Sequence, residues 1–185
     1  IMSLTETPIC NFGEKAITFN LLSTENKIIT LDNIKGKNGT LIMFICNHCP
    51  YVKAIIKDIV NDANILKKEG INSVAIMSND TENYPEDSFE NMIKFSNEHK
   101  FNFPYLIDKD QEIAKKYNAV CTPDFFGYNS KLELQYRGRI RELKDLKKVS
   151  LEETDLKKAM NLISTTGNGP KNQFPSMGCS IKWFE

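Results

Sequence analysis

Leu41-Ile42-Met43-Phe44-Ile45-Cys46-Asn47-His48-Cys49-Pro50-Tyr51-Val52 is the stretch whose reading decides the fold. Five apolar residues in a row, with no alternation, suit a strand buried on both faces, as in a parallel sheet. Directly after the second cysteine the period changes. Val52, Ile55, Ile56, Ile59, Val60, Ala63 and Leu66 recur at three- and four-residue steps, which is one face of a helix. The two cysteines therefore fall where a central strand turns into a helix. Unpaired backbone N–H groups and the positive end of the helix dipole stabilise a thiolate there. A thiolate with a second thiol three residues further on can close to a disulfide and open again, so the spacing predicts redox chemistry.

Working outward, Ala16–Leu22 and Lys27–Leu31 read as two strands joined by a turn at Ser23–Asn26. Gly70 is placed to stop the long helix, and Ile71–Met77 is a second buried strand. Ser78–Glu86 is polar and carries Pro85, which makes it a loop. A helix follows over Asp87–Lys100, with Phe89, Met92, Ile93 and Ser96 inward. Phe103–Ile107 is a short strand interrupted by Pro104, and Asp110–Tyr117 a short helix. Asp124–Tyr128 and Lys131–Arg137 read as a hairpin closed tightly at Asn129–Ser130. A charged connector, Arg137–Lys148, leads to a last helix around Thr154–Ile163. Strands alternating with helices predict an α/β fold, with a central mixed β-sheet flanked by helices on both faces. Residues 1–165 are expected to form one domain, with residues 166–185 as a C-terminal tail packed on it.

Composition excludes several classes. Lysine and arginine number 24, as do aspartate and glutamate, so there is no net positive field to recruit a nucleic acid. No apolar run approaches the ~18 residues of a membrane span. Five cysteines, an odd number, do not make a secreted disulfide framework. No basic segment followed by an apolar core opens the chain, and the expectation is a cytoplasmic protein, although Ile1 ahead of Met2 leaves room for a removed signal peptide.

The other candidate feature is Val120-Cys121-Thr122-Pro123-Asp124, immediately ahead of the hairpin. Together with the Cys-x-x-Cys at the strand-to-helix turn, it makes the chain from about Phe19 to Ile163 resemble the thioredoxin superfamily. That resemblance implies a thioredoxin-like fold and a cis peptide bond at Thr122–Pro123, with Pro123 beside the dithiol. It also implies that Cys121 and Thr122 bind extended substrates through the backbone. The N-terminal hairpin and the long loop after the second buried strand are similar to the redoxin side of the superfamily, the AhpC/TSA and TlpA-like proteins. Cys46–Val52 and the tail Gly178-Cys179-Ser180-Ile181-Lys182-Trp183 resemble a peroxiredoxin-like group carrying a Cys-x-x-Cys. The chain departs from thioredoxin in having no tryptophan ahead of Cys46 and no acidic residue in Leu41–Ile45. It departs from the peroxiredoxin pattern in having no threonine three residues before either cysteine.

Three activities are expected from these residues. The first is a thiol–disulfide oxidoreductase in which Cys46, nearer the helix start and more exposed, attacks a protein or small-molecule disulfide. Cys49 then resolves the mixed disulfide, and an unidentified thiol reductant restores the pair. His48, just before the second cysteine as in strongly oxidising DsbA-like motifs, is expected to stabilise the Cys46 thiolate. The second is a thiol peroxidase, with Cys49-Pro50 resembling the peroxiredoxin Cys-Pro and one of Arg137, Arg139 and Arg141 polarising a peroxide. The third is a copper metallochaperone similar to the Sco proteins. A zinc site would need a second ligand pair that the scattered remaining cysteines and His99 do not supply. No cofactor, resident metal, nucleic acid or membrane is expected. Cys179 has two readings, a third redox thiol folded over the site or a buried tail residue beside Trp183.

Overall fold

A computed structural model describes residues 3–185. In chain order its elements are β1 (Leu4–Glu6), β2 (Asn20–Ser23), β3 (Ile28–Thr30), α1 (Leu31–Ile34), β4 (Gly39–Phe44), α2 (Pro50–Lys68) and β5 (Ile71–Met77). A 3₁₀ turn (Pro85–Asp87) precedes α3 (Phe89–Glu98), β6 (Tyr105–Ile107), α4 (Glu112–Tyr117), β7 (Cys121–Thr122), β8 (Asp124–Tyr128) and β9 (Leu134–Tyr136). The chain closes with β10 (Leu143–Lys144), β11 (Lys147–Lys148), α5 (Asp155–Thr166) and β12 (Met177–Ser180).

The main sheet has seven strands in the order β3-β2-β6-β5-β4-β8-β9. β4, β5 and β6 run parallel, and the pairs at either side are antiparallel. β4 is central and buried at every position. Its side chains alternate: Leu41, Met43 and Ile45 enter a core shared with α2, α3 and α5, whereas Ile42 and Phe44 enter one shared with α1 and α4. An unbroken apolar run is what such two-sided burial requires.

The apolar face of α2 follows the predicted period. Val52, Ile55, Ile56, Ile59, Ala63 and Leu66 are all buried, while Val60 is only half-buried; each buried Val, Ile and Leu contributes about 1.5–3 kcal/mol of transfer free energy. Asp62 is buried on the same face, a polar residue that periodicity alone does not place inside. Pro50 occupies the first helical position, where a missing N–H has no cost. Gly70 lies one residue past the C-cap with φ +78°, a left-handed conformation that favours glycine.

Four expectations need correction. The helix expected at Asp87–Lys100 begins later, at Phe89, because the Ser88 hydroxyl caps it by accepting from Asn91 N–H. Its inward face holds Phe95, with Ile93 only half-buried. The hairpin after β8 is wider than a two-residue turn. The Asn129 side-chain oxygen accepts from both Lys131 and Glu133 N–H, and Leu132 takes a positive φ. The charged connector contains a small hairpin, β10–β11, whose turn residues Asp145 and Leu146 both have positive φ. The tail is also more structured than its sequence predicts. β12 lies between β1 and β7 in an antiparallel three-stranded sheet. Among the described residues, no helix is long and apolar enough to cross a membrane.

Candidate active site

β4 ends at Phe44, and Ile45 continues to Cys46. Asn47 and His48 make the turn, Cys49 is the N-cap of α2, and its carbonyl accepts from Val52 and Lys53 N–H at 3.1 and 3.0 Å. The sequence reading put Cys46 nearer the helix start and more exposed. The structure reverses the first point and removes the second: Cys49 is the cap, and the two residues are 1% and 0% exposed. The reason is tertiary. Thr122–Pro123, which is cis, and the tail strand β12 close over the dithiol from the far side.

Thr122 faces both sulfurs. Its Oγ1 lies 3.5 Å from Cys46 Sγ, and its carbonyl oxygen 3.2 Å from Cys49 Sγ. The third neighbour is Cys179, whose Sγ is 3.0 Å from Cys49 Sγ. Cys49 is therefore a sulfur with a thiol on either side. Hydrogen bonding from Cys46 lowers its pKa most, and Cys179 and Thr122 add to this against the cost of burial, bringing it to about 5. The Cys46 thiol moves the other way, because it gives its hydrogen to Cys49 and is itself buried beside the Asp87 charge. Burial raises Cys179 to about 12, and raises Cys121, whose sulfur lies 3.5 Å from the Pro123 carbonyl. Cys10, outside this group and half-buried, is raised to about 11, chiefly by burial.

Asp87, fully buried, is the residue that sequence reasoning missed on this side. Its carboxylate accepts from Asn47 N–H at 2.8 Å and Asn79 Nδ2 at 2.9 Å, and pairs with His48 Nδ1 at 2.6 Å. Asn47 also donates to the Glu86 carbonyl and accepts from the Tyr105 hydroxyl, which binds the dithiol turn to the loop after β5 and to β6. No carboxylate lies in Leu41–Ile45, as the sequence says. One is supplied instead from a 3₁₀ turn 40 residues downstream of Asn47. His48 is thus held mainly by Asp87, its Nδ1 being 3.9 Å from Cys46 Sγ. The Asp87 hydrogen bond raises the His48 pKa. Its ring stacks at 6.0 Å on Tyr84, and it borders an open cleft with Asn47, Lys53, Glu86, Lys94 and His99.

The three arginines after β8 do not approach a peroxide site as free cations. Arg137 is buried and holds Asp124 through Nε and Nη2 at 3.2 and 2.9 Å, Arg139 pairs with Asp155, and Arg141 with Asp58. Among the described residues, one set of side chains has donor atoms close enough for a metal ion: Cys46, His48 and Asp87, within 4.8 Å of one another. Binding there would replace the His48–Asp87 contact. Cys121 and Thr122, expected to receive an extended substrate, are paired through their backbones to Ser180 and Cys179 of the chain's own β12.

A mixed sheet flanked by helices, a Cys-x-x-Cys at the strand-to-helix junction and a cis-proline loop beside it define a thioredoxin-like redoxin. The sequence model of the AhpC/TSA family matches residues 12–143, and the chain belongs to that family. It is 39% identical to an uncharacterised conserved protein from Geobacillus kaustophilus, with a TM-score of 0.93 over 99% of this chain and 97% of that one. A hypothetical protein from Sinorhizobium meliloti 1021 is 32% identical, with a TM-score of 0.88 over 97% of each chain. The thioredoxin domain of a thiol-disulfide oxidoreductase from Bacteroides vulgatus, 17% identical, shares the fold with a TM-score of 0.58 over 68% of this chain and 86% of that one. No curated protein matches the chain.

Proposed function

We propose that the protein is a thiol–disulfide oxidoreductase working through a Cys46/Cys49 dithiol–disulfide couple. The observation that carries this reading is a thiolate favoured on Cys49 by the Cys46 thiol of the same Cys-x-x-Cys, at the start of a long helix. Cys46 is the attacking sulfur. Cys49 Sγ has Cys179 against it, whereas Cys46 Sγ is 3.9 Å from the ring of His48, and His48 borders the open cleft. As Cys46 attacks a substrate disulfide its proton passes to Cys49 and on to the first thiol released. Cys49 thiolate then attacks Cys46 Sγ, expelling the second substrate thiolate and closing the Cys46–Cys49 disulfide. A thiol reductant reverses the last step. His48 and Asp87 hold the turn, and Thr122 orients both sulfurs. Sparse, odd-numbered cysteines favour the cytoplasm as the compartment.

A thiol peroxidase is the weaker reading, because Arg137, Arg139 and Arg141 are each engaged by a carboxylate. The two separate in one experiment, in which the reduced protein is offered a small disulfide and hydrogen peroxide in parallel, with Cys46→Ser and Cys49→Ser variants alongside. The oxidoreductase reduces the disulfide. Cys46→Ser abolishes this, and Cys49→Ser stalls as a mixed disulfide on Cys46. Rapid peroxide consumption with no disulfide reduction refutes the proposal.

A further inference from the structure

The tail that carries Cys179 is tied down residue by residue. Ser176 Oγ donates to the Pro123 carbonyl at 2.7 Å, and Ser176 N–H to Thr7 Oγ1. Cys179 pairs in register with Leu4 on one side and Thr122 on the other. Ile181 N–H reaches the Val120 carbonyl, Lys182 N–H reaches Asn79 Oδ1, and Gln111 holds both Lys182 and Phe184. At Gly178 a side chain would run into the Thr122 carbonyl, so this approach of β12 to β7 needs a glycine. These contacts hold the Cys179 sulfur 3.0 Å from Cys49 Sγ, inside van der Waals contact and about 1 Å beyond the length of an S–S bond.

We propose that Cys179 is a third redox thiol, and that a Cys49–Cys179 disulfide follows the Cys46–Cys49 disulfide in the catalytic sequence. This rests on the oxidoreductase reading above. Cys179 thiolate attacks Cys49 Sγ, the Cys49–Cys179 bond forms, and the Cys46–Cys49 bond breaks. The electron pair stays on Cys46, which takes up the proton that Cys179 gives away. The protein remains oxidised by two electrons throughout, so the step needs no outside oxidant. Two of the influences that hold the Cys179 proton in the reduced protein, hydrogen bonding to Cys49 and the Cys49 charge, disappear once Cys49 is in a disulfide. The Lys182 charge, which favours the Cys179 thiolate, stays. The outcome is a reduced Cys46 beside a stored disulfide, with the tail covalently tied to the start of α2.

Proteolysis after lysine and arginine leaves Cys46 and Cys49 together on residues 38–53 and Cys179 on residues 172–182. The two disulfides therefore give an internally closed peptide and a cross-linked pair. The full-length protein is equilibrated with glutathione buffers, quenched with acid and mapped by mass spectrometry, alongside Cys46→Ser and Cys179→Ser. Wild type is expected to yield both species, within tenfold of each other, and Cys46→Ser to yield the cross-linked pair through Cys49. Wild type giving only the internally closed peptide, or Cys46→Ser stopping as a glutathione adduct on Cys49, overturns the proposal. Cys179→Ser reports on the underlying reading alone. Closure of Cys46–Cys49 in that variant upholds the oxidoreductase whatever the fate of Cys179, and failure to close counts against the oxidoreductase itself.

Discussion

Removing the Cys46 thiol while keeping its neighbour tests the electrostatics of the site directly. The Cys49 pKa falls from an ordinary 9.0 to about 5, which corresponds to about 5 kcal/mol of preferential stabilisation of the thiolate. The largest cause is the hydrogen bond from Cys46. A hydrogen bond to a charged group is worth about 1.5–3 kcal/mol, so Cys46→Ala should raise the Cys49 pKa by about one to two pH units. The readouts are ultraviolet thiolate absorbance and the pH dependence of alkylation, with Cys10 and Cys121 replaced to isolate the signal. Stability supplies an independent check. A folded-state pKa depressed below the unfolded value adds stability as pH rises through the interval between them, and that stability is lost as pH falls back through the folded value. Wild type should therefore gain up to ~1.4 kcal/mol per pH unit between about 5 and 9, and Cys49→Ser should lose this slope in urea titrations. A Cys46→Ala protein with an unchanged Cys49 pKa would refute the assignment of the charge to a Cys46-supported Cys49.

Asp62, buried under α5 and accepting from the Thr154 hydroxyl, has its pKa raised to about 6 by burial. Its folded value exceeds the unfolded one, so stability falls as pH rises from about 4 to 6. Asp62→Asn should be more stable than wild type at neutral pH by about 1–3 kcal/mol and about equal near pH 4; parallel urea curves at both pH values would contradict this. Arg137→Ala strands the buried Asp124 carboxylate and should cost about 3–5 kcal/mol. The double variant Arg137→Met, Asp124→Leu should recover most of that loss, and urea midpoints of the three proteins decide the matter. His48→Ala removes the imidazole that pairs with Asp87, and the carboxylate left without it next to Cys46 should raise the thiol pKa values and make the disulfide harder to reduce. Glutathione titrations that superimpose on wild type would show that His48 does not set the potential.

What the chain settles locally, its sequence shows. The unbroken apolar run of β4, the helical period that begins after Cys49, Pro50 at the first helical position and the Thr122-Pro123 pair all depend on neighbours within a few residues. They were sufficient for the thioredoxin-like fold and for the placement of the Cys-x-x-Cys at a strand-to-helix turn. What the site does with its protons is decided at long range. Asp87 reaches Asn47 across 40 residues and Cys179 reaches Cys49 across 130, through a loop and a short strand whose sequences carry no period to read. β12 holds only Met177-Gly178-Cys179-Ser180, a weak strand former by composition. It is a strand because β1 and β7 on either side satisfy its backbone. Hydrogen bonding from Cys46, supported by Cys179 and Thr122 and working against burial, places the charge on Cys49, and that strand and the cis-proline loop bring Cys179 and Thr122 to the sulfur only once the chain has closed on itself.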